Sequence, residues 1–244
     1  MTHSGRPWQL KEMTPGGIRE RLQERRTLIV PVGTTEQHGP HLPLGCDTMI
    51  VERLADDLSA TFGVVRTPTL EYGVHEPSLA YPGGASLRRR TLHRVMNELI
   101  GSWEDGAGVK EFVILTAQAS EAHLEALSTI RTDGAIVMVI DIFGLDFGDL
   151  LEFPDAPVQG GELDTSLILF LAPALVRMDL SQDFAPSSRT MERFRPGQSR
   201  QLPAGSPGSV GYPSRASPQK GALLYRFILD HISRCLKQPE ASGA

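Results

Sequence analysis

Four side chains able to bind a cation or move a proton, Glu36, His38, His41 and Asp47, fall together early in the chain. They lie in a loop between an apolar, β-branched run at Leu28 to Val32, which predicts a buried strand, and a helical pattern from Asp47 to Leu58. Met49, Ile50, Leu54, Ala55 and Leu58 form one apolar face of that helix. Carboxylates and imidazoles gathered at the carboxyl end of a strand are the donors a hard or borderline divalent cation requires. In open α/β sheets that end of the strand is also where ligands sit. A plainer reading stands beside this one, in which the loop residues only hydrogen-bond locally and Asp47 only caps the helix.

The remaining elements must hold that loop. A helix is predicted over 14–26, with Thr14 as N-cap and Pro15 at the first helical position. A short strand follows at Val64 to Thr67. Beyond the turn at Tyr81-Pro82-Gly83-Gly84, a helix runs from Thr91 to Trp103 with Leu92, Val95, Leu99 and Ile100 on one face. Glu111 to Leu115 and Ala135 to Ile142 read as strands, and 120–130 as the helix between them. Helices are also predicted at Glu162 to Leu171, ending near Pro173, and at Pro218 to Leu236, with Leu223, Phe227 and Ile228 among its apolar positions. The polar stretch 183–207 reads as an extended loop. Strands alternating with helices give an α/β fold with a largely parallel sheet. We expect one domain over 8–237, a disordered segment at 1–7 and a flexible one at 238–244.

Composition narrows the function classes. The 244 residues carry a formal net charge of −5, which gives no footing for nucleic-acid binding. The one tight basic run, Arg88 to Arg90, reads as a solvated helix start. No segment has the length and apolarity of a membrane span, and Cys46 and Cys235 have no metal-type spacing, so a cytoplasmic protein without membrane attachment is expected.

The loop from Thr35 to Asp47, TEQHGPHLPLGCD, resembles the signature of the creatininase family of metal-dependent amidohydrolases. Other segments match in the same order. Tyr72-Gly73 through Tyr81-Pro82-Gly83 is similar to a family segment ending in a Phe-Pro-Gly-Thr turn. Gly160 to Ser166 resembles the Ala-Gly-Glu-x-Glu-Thr-Ser helix start, with Ala172 to Leu180 following, and Gly208 to Pro213 resembles Gly-Val-x-Gly-Asp-Pro. The resemblance implies a three-layer α/β/α sandwich, a two-metal centre of zinc or manganese, a small-molecule substrate and a homo-oligomer, commonly a hexamer. It assigns Glu36 and His38 to one metal each and Asp47 to the bridge, with His41 outside the ligand set.

The pattern breaks where the family has Asn-Gly-His-Gly-Gly-Asn. Here the loop reads Thr116-Ala117-Gln118-Ala119-Ser120-Glu121, so Gln118 stands in the place of a ligand histidine, and an amide is a weak donor to zinc. Glu121 or His123 could compensate from the helix start. Gln159 stands where a proton-handling histidine is expected, and an amide is no general acid or base. Ser78 stands where a histidine is common. Glu162 would complete a reduced site with Glu36, His38 and Asp47, holding one Mn, Zn or Fe ion or none, whereas Asp164 reads as a helix-start carboxylate. Gln118, Gln159 and Glu162 are the catalytic candidates; Ser120, Glu121 and Cys46 are candidates for substrate contact, Cys46 being either a nucleophile or a packed thiol. Three functions follow: a hydrolase acting on an amide or related C–N bond, a repurposed non-hydrolytic biosynthetic enzyme, or a catalytically silent subunit.

Overall fold

The computed structural model describes residues 5–75, 81–154, 159–185, 202 and 204–237. Its centre is a four-stranded, all-parallel sheet of β1 (Thr27–Val32), β2 (Val65–Arg66), β3 (Glu111–Thr116) and β4 (Ile136–Asp141), in the order β2-β1-β3-β4. The helices are α1 (Pro15–Glu24), α2 (Cys46–Phe62), α3 (Arg89–Ala107), α4 (Glu121–Ser128), α5 (Glu162–Leu171) and α6 (Pro218–Lys237). Thr14 caps α1 as expected, its hydroxyl accepting from the Gly17 amide at 3.2 Å.

Alternation along the strands divides the core in two. Leu28, Val30, Val32, Phe112 and Ile114 face α1, α3 and α4 through Leu22, Leu92, Met96, Ile100 and Leu127. Ile29, Val113 and Leu115 face the other way, against α2, α5 and α6 through Ile50, Leu54, Leu167, Leu224 and Ile228. Helices on both faces of a parallel sheet make the α/β/α sandwich.

Two helix faces differ from their expected phase. In α3 the buried positions are Leu92, Met96 and Ile100, while Leu99 is exposed; in α6 Leu223 is the exposed apolar residue and Leu224 the buried one. Each lies one residue from its buried neighbour, and a rotation of about 100° per residue separates core from solvent. Residues 1–4, 76–80 (with Ser78), 155–158, 186–201, 203 and 238–244 lie outside the described residues, so most of the 183–207 loop and the C-terminal segment do as well.

α5 and α6 cross closely at Gly221, where a Cβ would stand 1.9 Å from the Ser166 carbonyl oxygen. Gly221→Ala must separate the two helices, and we expect it to lower unfolding free energy by about 1–3 kcal/mol, the usual cost of overpacking, read by urea denaturation.

Candidate active site

The strand order creates the crevice. From β1 the chain passes through α2 to β2 on one side, then through α3 across to β3 on the other. The connections therefore diverge between the carboxyl ends of β1 and β3, the switch point where open α/β sheets bind ligands. The loop after β1 brings Glu36 and His38 there, the first turn of α2 brings Asp47, and the loop after β3 brings Gln118. The β1 loop is pinned by the Glu36 amide on the Leu44 carbonyl at 2.9 Å and by the Gln159 side-chain amide on the Gln37 carbonyl at 2.6 Å. Gly160 makes this approach possible: its φ is +63°, and a Cβ there would lie 2.1 Å from the His38 carbonyl oxygen.

Glu36, His38 and Asp47 are all buried and adjoin one another. His38 Nε2 lies 3.2 Å from Asp47 Oδ1, and Asp47 Oδ2 accepts from the Thr34 hydroxyl. His38 Nδ1 lies 3.1 Å from the Glu36 carbonyl oxygen. A carbonyl only accepts, so Nδ1 carries a hydrogen and Nε2 is the nitrogen turned to the cluster. Burial pushes Glu36 up to about 8; His38 opposes this, while Asp47 and Asp164 add to it. Burial works against a charge on His38, yet Cys46 and Asp47 beside it hold the imidazole well above its usual range. Burial disfavours the charged form of the Glu36 carboxyl.

Gln118 is oriented by its neighbours. Its Oε1 accepts from the Ser120 amide at 3.0 Å, so its amide nitrogen is the end that donates to Glu36 Oε2. It clamps Glu36 and presents no donor oxygen to a cation there. The Ser120 hydroxyl, a candidate for substrate contact, donates to the Val74 carbonyl at 2.7 Å. Glu121 is exposed at the start of α4. His123 does not replace the missing ligand: its Nδ1 accepts from the Val74 amide at 3.1 Å and its Nε2 faces the Thr116 hydroxyl at 2.9 Å.

Glu162, expected as a ligand, is engaged elsewhere. Its carboxylate accepts from the backbone amides of Glu152 (3.0 Å) and Phe153 (3.2 Å) and pairs with Lys220. Those partners account for its oxygens in this structure and turn it away from Glu36, His38 and Asp47. Asp164 is instead the α5 carboxylate that adjoins His38 and Asp47 electrostatically; burial lifts it to about 6, and its Oδ2 caps the Gly160 amide at 2.5 Å. Gln159, expected to orient substrate, uses its amide nitrogen on the Gln37 carbonyl and so positions the loop. Cys46 is fully buried, with Sγ donating to the Pro43 carbonyl at 3.0 Å and burial raising the thiol's pKa, an arrangement that matches a packed thiol. His41, held near 4 by burial, binds the Thr165 hydroxyl through Nε2 at 2.9 Å. We expect Lys220→Met to cost about 3–5 kcal/mol by stranding the buried Glu162 carboxylate, and to leave metal binding unchanged, as checked by urea unfolding beside metal analysis.

Sequence reasoning passed over His75, whose Nδ1 stands 3.8 Å from Glu36 Oε1. Its one sequence signal was its place between Gly73 and the Tyr81-Pro82-Gly83 turn. For Asp164 the signal was a second acidic residue in a helix start.

Among the described residues no group of three or more His, Cys, Asp or Glu side chains is placed to hold a metal ion. Glu36, His38 and Asp47 nevertheless carry the donor types that a divalent cation takes. Asp47 Oδ1 is buried with His38 Nε2 3.2 Å from it, and Glu36, Asp47 and Asp164 bring three carboxyl groups to one imidazole. Gln118 turns an N–H, and no donor oxygen, toward Glu36.

Comparison with known proteins identifies the family. The family model for creatininase (creatinine amidohydrolase) matches residues 11–236. The mycofactocin precursor peptide peptidase of Mycolicibacterium smegmatis is 28% identical over 88% of this chain and 87% of its own. The 3-dehydro-scyllo-inosose hydrolase of Thermotoga maritima is 31% identical over 92% and 81%, and the creatinine amidohydrolase of Pseudomonas putida 24% over 86% and 88%. Among solved structures, a manganese form of creatininase superposes with a TM-score of 0.78 at 21% identity, covering 95% of this chain and 98% of that one. A zinc–zinc form has a TM-score of 0.77 at 22% identity, covering 95% and 97%. With the parallel sheet, the switch-point loop and a match over nearly the whole length, the chain belongs to the creatininase family.

Proposed function

We propose that this chain is a hydrolase acting on an amide or related C–N bond of a small molecule, using one divalent cation (Mn, Zn or Fe) held by Glu36, His38 and Asp47. The observation that carries it is the buried cluster of Glu36, His38 and Asp47 at the carboxyl end of β1, with His38 Nε2 3.2 Å from Asp47 Oδ1. Bound there, the cation would polarise a substrate carbonyl and lower the pKa of a water. The chain's own residues prepare the place. The Glu36 carbonyl fixes the His38 tautomer, Thr34 fixes one Asp47 oxygen, and Gln118 fixes one Glu36 oxygen. Gln159 and Gly160 hold the loop carrying His38 against α5.

The names of the relatives favour this over a repurposed non-hydrolytic enzyme or a silent subunit, since each describes a hydrolytic activity. A homo-oligomer belongs to the same reading, supported by the apolar edge strand β4, where Ile136 is 42% exposed. The test is a panel of cyclic and linear small amides, creatinine and short peptides among them, offered to protein loaded with Mn or Zn. The reading predicts hydrolysis that stops on chelation and returns with metal. Turnover indifferent to chelation, or none by the loaded protein, counts against it.

A further inference from the structure

We propose that His41 and Ser209 hold an ordered water between them, and that this joint fastens the β1 loop to the segment over 208–211. Three segments meet here: 37–41 after β1, 159–165 at the start of α5, and 208–211. The first is tied to the second twice, by the Gln159 side-chain amide on the Gln37 carbonyl and by His41 Nε2 at 2.9 Å from the Thr165 hydroxyl. The second is tied to the third by the Val210 amide on the Gln159 carbonyl at 2.8 Å. Among the described residues no backbone hydrogen bond ties the first to the third. Each contributes instead one buried polar atom without a hydrogen-bond partner among the described residues, His41 Nδ1 and Ser209 Oγ; the two residues are 1% and 0% exposed. Buried polar atoms in native proteins find a partner in the chain or in bound water.

The two atoms are complementary. The Thr165 hydroxyl donates to the Gly160 carbonyl at 3.5 Å, so its oxygen accepts from His41 and the hydrogen of the neutral ring sits on Nε2. Burial, which holds His41 near 4, keeps the ring neutral. Nδ1 is then a bare acceptor, and the Ser209 hydroxyl is a donor. Both face Gly39: a Cβ there would stand 3.1 Å from each, so the two atoms are no more than twice that distance apart. They make no direct hydrogen bond. One water accepting from Ser209 and donating to Nδ1 spans such a separation and satisfies both. Ser209 itself is set between two glycines, its Cβ lying 2.9 Å from where a Gly39 Cβ would be and 3.1 Å from where a Gly160 Cβ would be. Neither His41 nor Ser209 belongs to the cation cluster, so the joint does not depend on a bound cation.

A crystal structure of the wild type that resolves ordered water, with nitrogen–proton correlation NMR of the His41 ring near neutral pH, tests the joint without any substitution. The expected result is a water within hydrogen-bond reach of both His41 Nδ1 and Ser209 Oγ, and a ring protonated at Nε2. Ser209→Ala then tests what the joint holds, by hydrogen exchange at the Gly39 amide, which donates to Gln37 Oε1 at 3.0 Å. That amide should exchange about 10-fold faster or more, as expected when a buried polar group loses its partner. Three results would overturn the assignment: no water at that place, a Ser209 hydroxyl donating straight to Nδ1, or a His41 ring protonated at Nδ1. Wild-type exchange at Gly39 in a folded Ser209→Ala protein would overturn the fastening role.

Discussion

Asp47→Ala is expected to remove bound metal and to lower turnover by about 1,000-fold or more, the equivalent of several kcal/mol of lost transition-state stabilisation at 1.36 kcal/mol per tenfold. No other side chain has the same position. Asp47 adjoins His38 through one oxygen and Thr34 through the other, and Glu36 and Asp164 lie within its electrostatic reach. Glu162→Ala is the control, since its partners are Lys220 and two backbone amides. It should lower stability and leave the metal bound. Metal content and turnover on a substrate found by the amide panel, measured for both variants, check the contrast. Equal losses in the two would return Glu162 to the site.

The second large effect is on stability. In the metal-free protein Glu36 is raised from 4.5 to about 8 and Asp164 from 3.8 to about 6, both chiefly by burial. Between the unfolded and folded values the native state holds more protons than the unfolded chain, so stability falls as pH rises through that window. His38, also raised, acts in the same direction. His41 and His123 act oppositely, since burial lowers both to about 4 and stability rises as pH climbs to their unfolded value of 6.5. Above that pH the two buried neutral histidines contribute no further change and Glu36 dominates. The metal-free protein should therefore be most stable near neutrality and lose at least about 4 °C in Tm between pH 6.5 and 8.5, at roughly 2–4 °C per kcal/mol for a chain of this size. Saturating Mn or Zn should flatten the decline, because a cation takes the place of the protons. Thermal melts with and without metal across that range decide it. A metal-free profile that stays level would mean that Glu36 ionises as readily as an exposed carboxylate.

Local patterns carried much of the fold. The β-branched run of β1, the Thr14-Pro15 start of α1 and the alternation of strands with helices each have a cause within a few residues. Helix phase was less legible, because Leu223 and Leu224 are equally apolar and only the packing of α6 on α5 decides which is buried. The same limit governed the site. Glu162 and Asp164 are two residues apart in one helix start, and about 200° of rotation sends them to different neighbours. Glu162 meets Lys220, far along the chain, whereas Asp164 turns to Gly160 and the His38 loop. Glu36, His38 and Asp47 were legible because one loop carries all three. His75 was not, because its relation to Glu36 exists only where the segment after β2 passes over the carboxyl end of β1.

The central claim is that one divalent cation belongs between the β1 loop and α2. Metal content per subunit by elemental analysis, on protein purified without a histidine tag or chelator, tests it most directly. The account predicts about one equivalent of Mn, Zn or Fe, lost in Asp47→Ala. No metal, even after reconstitution with excess manganese and zinc, would contradict it.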